Sequence, residues 1–86
     1  MPTYMTIEGS PNALIEFDED LEAVQKLTAQ AIVKGGVLIA ELANKPEHRV
    51  IYALGQTRQV RVSSEPPVPM PMAASQFKAY RKSFVM

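Results

Sequence analysis

The sequence predicts an α+β domain, one helix packed on a small, mostly antiparallel sheet, followed by a proline-rich extended arm and a short C-terminal helix. Three observations carry this expectation. Apolar residues alternate over residues 3–8 and again over 57–63, the period becomes helical between Asp18 and Lys34, and four prolines crowd residues 65–72. Eighty-six residues with 47% hydrophobic and 21% charged side chains suit one soluble globular domain rather than a disordered chain.

The elements follow in order. Residues 3–8 place Met5 and Ile7 opposite Tyr4, Thr6 and Glu8, a strand ended by the Gly9-Ser10-Pro11-Asn12 turn. Residues 13–17 put Ile15 and Phe17 opposite Leu14 and Glu16, and pair with the first strand as a hairpin. From Asp18, Leu21, Val24, Leu27, Ala31 and Ile32 form one helical stripe. Asp18 is the expected N-cap, Glu19, Asp20 and Glu22 suit the positive end of the dipole, and Gly35-Gly36 stops the helix with one residue left-handed. Residues 37–43 are apolar on both faces, as in a central strand. After a turn at Asn44-Lys45-Pro46-Glu47, residues 48–54 and 57–63 read as further strands, the last an edge blunted by arginines. The order is β-β-α-β-β-β within residues 1–64.

Residues 65–72 hold Pro66, Pro67, Pro69 and Pro71, which neither continue a sheet nor enter a helix, so an extended polyproline-like linker is expected. Residues 73–86 then read as an arm containing a short amphipathic helix, with Phe77, Tyr80 and Phe84 at helical spacing among Lys78, Arg81 and Lys82. Half of the six aromatic residues lie there. Such an aromatic face must be covered, by the chain's own sheet or by a neighbour.

Charge is distributed unevenly. Residues 1–22 carry six acids and no base, whereas residues 23–86 carry nine bases against three acids, so a formal net charge of zero conceals halves of minus six and plus six. Zero net charge argues against a dedicated duplex binder, which carries a strongly basic footprint. Zero cysteines exclude disulfides, thiolate metal sites and a thiol nucleophile. The lone His48 has no second histidine or cysteine beside it, and Asp18-Glu19-Asp20 lacks the glycine and distal glutamate of a calcium loop. Gly35-Gly36 follows a helix, so it cannot cradle phosphate at a helix N-terminus. The Pro66 to Pro69 spacing lacks a flanking arginine, which leaves it a spacer rather than an SH3 ligand. No catalytic residue, metal ligand or cofactor site is expected.

The expected role is therefore non-enzymatic: an assembly or interaction protein, an accessory or structural subunit of a larger particle such as a viral or phage one. Its arm would dock on a protein neighbour, self or other, through Phe77, Tyr80 and Phe84 with Lys78 and Arg81 around them. Two alternatives use other residues. An inhibitor of a host protein would present the acidic residues 16–22, and a nucleic-acid accessory would use Arg49, Arg58 and Arg61 with Tyr52, extended by Lys78, Arg81 and Lys82. No secretory signal or membrane span is visible, so an intracellular or virion setting is expected.

Overall fold

The computed structural model describes residues 2–9, 13–56, 59–66 and 75–86. They form a small α+β fold with seven strands and one helix: β1 (Thr3–Ile7), β2 (Ala13–Phe17), α1 (Leu21–Lys34), β3 (Val37–Leu42), β4 (Lys45–Ala53), β5 (Val60–Ser63), β6 (Ser75–Ala79) and β7 (Phe84–Val85). The strands make one mixed sheet in the order β4-β3-β6-β2-β1-β5, with β7 pairing β3 beside β6. Every pairing is antiparallel except β2 with β6, which run parallel with Ala13 opposite Ser75 and Phe17 opposite Ala79.

The strand periods put one set of side chains under α1 and the other on the helix-free face. Met5, Ile7, Ile15, Phe17, Leu38, Ala40 and Ala79 point to the helix side, where Val24 and Ala31 meet them, and all are buried. Thr28 shares this face because its hydroxyl donates to the Val24 carbonyl at 2.7 Å, so no polar atom is left unpaired there. Ile32, expected in the stripe, is 38% exposed at the helix edge.

Asp20, not Asp18, caps the helix. Its backbone is extended and its carboxylate accepts from the Ala23 N–H at 2.9 Å, while Asp18 is engaged by Lys78. At the other end Gly35 adopts the left-handed conformation (φ 69°) that ends the helix. Gly36 has a second function. A Cβ there would lie 2.6 Å from the Val85 carbonyl oxygen, so the missing side chain lets β7 close against the start of β3.

The C-terminal segment departs from the expected arm. Residues 75–79 form a strand, not a helix, and it lies inside the sheet between β3 and β2. The physical reason is backbone pairing: an inserted strand bonds on both edges and buries Ala79 and part of Phe77, which a free helix of this length could not match. A tight turn at Arg81–Ser83 then interrupts the strand, with the Tyr80 N–H donating to Ser83 Oγ and the Ser83 N–H to the Tyr80 carbonyl, both at 2.9 Å, and β7 resumes beyond it in the same direction along β3. The interruption brings Phe84 into the core, stacked on Phe17 with ring centroids 5.7 Å apart. Residues 75–86 thus belong to the same sheet as residues 3–63. Pro67, Pro69 and Pro71 of the expected linker, and Arg58, lie outside the described residues.

Turns differ from expectation at β4. Lys45, Pro46 and Glu47, read as turn residues, begin the strand, and only Ala43-Asn44 turn; a register shift between Glu41 and Leu42 accommodates the tight connection. Pro46 is tolerated because β4 is an edge strand, where a missing N–H need not interrupt a ladder.

Phe84→Ala empties a nearly buried aromatic site and removes the stack on Phe17. It is expected to cost about 3–5 kcal/mol, read as a lowered urea midpoint at unchanged slope. A change below about 1 kcal/mol would show that Phe84 is not part of the core.

Candidate functional site

The residues expected to anchor a neighbour divide by position. Phe84 is buried in the chain's own core and Phe77 is half-buried against it, so neither presents a full ring outward. Tyr80 is half-buried with the Lys82 ammonium 5.8 Å from its ring centroid, and Arg81 is exposed beside it. The expectation that the three aromatics form one docking face is therefore corrected for Phe84: burial against Phe17 occupies it internally.

Lys78 stands at the middle of the helix-free face. Its Nζ lies 2.6 Å from Asp18 Oδ1 and 3.3 Å from Glu16 Oε2. The strand register extends this into a row across four strands, Arg49 opposite Glu41, Glu41 opposite Lys78 and Lys78 opposite Glu16, so positive and negative charge alternate from β4 to β2. Arg49 Nε is 3.9 Å from Glu41 Oε1 at the outer end of the row. Opposite charges directly across a sheet favour one register over its neighbours. The hydrogen bond that Lys78 donates to Asp18 raises its pKa above the ordinary 10.5, partial burial works against it, and Glu16 adds to the rise.

This geometry bears on both alternative readings. Of the acidic residues 16–22, Glu16 and Asp18 hold Lys78 and Asp20 caps α1, so the cluster is partly engaged by the fold itself. The basic residues do not converge either: Arg49 is on β4 and Arg61 on β5, the two opposite edges of the sheet, about 24 Å apart at the usual strand spacing.

One feature of the surface was not visible in the sequence. β4 is nine residues long and exposed along its length except at Tyr52, with Ile51 65% and Val50 37% exposed. On the helix-free face Ile51 stands opposite Ile39, and Ala53, Val37 and Val85 form the adjacent row. Val85 and Met86 are about half exposed, so these apolar rows form a corner of the face beside the charged row. On the other face, beyond α1, Leu42, Val50 and Phe77 with His48 and Glu47 line an open groove of about 430 Å³. His48 sits on this strand, and no group of three or more metal-ligating side chains occurs among the described residues. The one sequence feature that bears on the corner is the run Val50-Ile51-Tyr52, which places apolar groups on both faces of a strand that has a neighbour on one side only among the described residues.

The raised Lys78 pKa fixes the sign of a pH effect. The protonated lysine contributes stability fully below the ordinary value of 10.5, and the contribution is lost as pH rises through the higher folded value. Lys78→Met is expected to lower stability by about 1 kcal/mol or less at neutral pH, the group being partly solvated, and the deficit against wild type should shrink in strongly alkaline solution. Paired urea titrations at neutral and alkaline pH measure it; a deficit that stays constant would show that the ammonium charge is not the cause. No helix among the described residues is long and apolar enough to cross a membrane. Compared with known protein families, curated proteins and solved structures, the chain matches none.

Proposed function

We propose that this chain is a non-enzymatic interaction protein, a small structural or accessory subunit of a larger assembly, and that it meets its neighbours through the β4 edge and the apolar corner beside it. Of the C-terminal aromatics, Phe84 and part of Phe77 pack into the chain's own core instead. The observation that carries the reading is the exposed length of β4 with Ile51 and Val50 on its two faces. Monomeric proteins blunt such an edge with charge, a bulge or a covering segment, because unpaired N–H and C=O groups beside apolar side chains recruit another strand. Here Lys45, Pro46, Glu47 and Arg49 blunt the first half, and the second half, Val50 to Ala53, carries no charge at all. A viral or phage particle is one concrete setting for a subunit of this design.

Sedimentation of the tagged chain in extracts of the cells that make it tests the reading. The chain is expected to travel with a species several times its own mass, and Ile51→Lys should return it to the monomer position while the purified variant stays folded. A wild-type chain sedimenting as a free monomer, or an Ile51→Lys chain that remains in the heavy species, would contradict it.

A further inference from the structure

We propose that the occupant of the β4 edge is a second copy of this chain, added antiparallel about a two-fold axis at Ile51; the inference rests on the interaction role argued above and specifies the partner. Which backbone groups are available decides the register. The Leu54 N–H donates to the Gly36 carbonyl at 3.1 Å, and these two residues stand one step beyond the Val37–Ala53 pair, opposite each other when the β3–β4 register is continued. Hydrogen-bonded and non-bonded pairs alternate along antiparallel strands, so Tyr52 and Val50 bond to β3, whereas Ala53, Ile51 and Arg49 turn their N–H and C=O groups outward. The other side of β3 agrees. The Ala43 N–H donates to the Gln76 carbonyl, which makes Glu41 bond toward β6 and leaves its β4 partner, Arg49, facing the free edge.

The outward groups are spaced evenly about Ile51. A two-fold axis there places Ile51 opposite its own counterpart and Arg49 opposite Ala53 of the second copy, so all three residues on each strand bond at once. On the helix-free face the axis extends Ile39 and Ile51 into an unbroken row of four isoleucines across the junction. On the other face Val50 meets the Tyr52 of the second copy.

Charge selects this register over its neighbours. An axis at Arg49 would set two guanidinium groups directly opposite, which is destabilising, and would place Ile51 against Glu47. An axis at Ala53 would move Ile51 beyond the strand end, opposite Gly55. With the axis at Ile51 the two arginines stand about 14 Å apart along the strand, each over the small Ala53 and each still beside its own Glu41. A foreign extended segment would satisfy the same backbone groups, and the experiment separates it from a second copy.

The absence of cysteine makes the register directly readable. Purified Ile51→Cys is expected to form a disulfide-linked dimer under mild oxidation. Arg49→Cys alone and Ala53→Cys alone should cross-link several-fold more slowly, and an equimolar mixture of the two should give the mixed dimer. Light scattering of the wild-type chain should approach twice the chain mass as concentration rises. Preferential linking of Arg49→Cys or Ala53→Cys to itself would overturn the register. A monomer at all concentrations without cross-linking would overturn the second copy as occupant; if the heavy species in extracts still depended on Ile51, a foreign partner would be established and the interaction role itself would stand.

Discussion

The insertion of β6 between β3 and β2 is the constraint on which the rest of the structure depends. Without it the chain contains two separate pieces of sheet, β1-β2-β5 and β3-β4-β7, each with an edge that nothing fills. β6 bonds parallel to β2 on one side, joining residues more than sixty positions apart in sequence, and antiparallel to β3 on the other. The C-terminal features then follow from that placement. Ala79 enters the core, the turn at Arg81–Ser83 becomes possible, and Phe84 reaches Phe17.

The same insertion resolves the charge asymmetry of the sequence. A basic residue from the C-terminal half, Lys78, arrives between Glu16 and Glu41 and hydrogen-bonds Asp18, so acidic and basic halves meet in the middle of one sheet face. Exposed ion pairs contribute little stability each, but a slip of β6 by one residue would bring Lys78 to the helix side and leave the carboxylates facing one another. The alternating row therefore acts more on register than on stability. Beside that row lies the apolar corner, and among the described residues no strand lies beyond β4. An 86-residue domain has limited core, and association across an open edge is one of the few routes by which such a chain gains stability.

Much of this was legible in the residues. β1, β2 and the body of α1 follow from their periods, Gly35 from the helix stop, and the inward set on β5, Val60 and Val62, from its alternation. What misled was the C-terminal spacing of Phe77, Tyr80 and Phe84. Those positions fit one helical face, yet Phe77 and Phe84 reach the core by a strand, a tight turn and a second short strand running on in the same direction, a route that no single period describes. Five residues are too few for alternation to overrule it, and parallel pairing with β2 leaves no local mark at all. The candidate surface was hidden for a related reason: whether β4 lies at an edge depends on strand order, and strand order was decided by β6.

A chain ending at Ser64 tests the central role of β6 most directly. Its urea unfolding, followed by circular dichroism, is predicted to show no cooperative transition, because β2 and β3 lose the strand that joins them and Phe17 loses Phe84. A truncated chain that unfolds cooperatively with near wild-type stability would contradict the account, since residues 1–64 would then form the fold without the inserted strand.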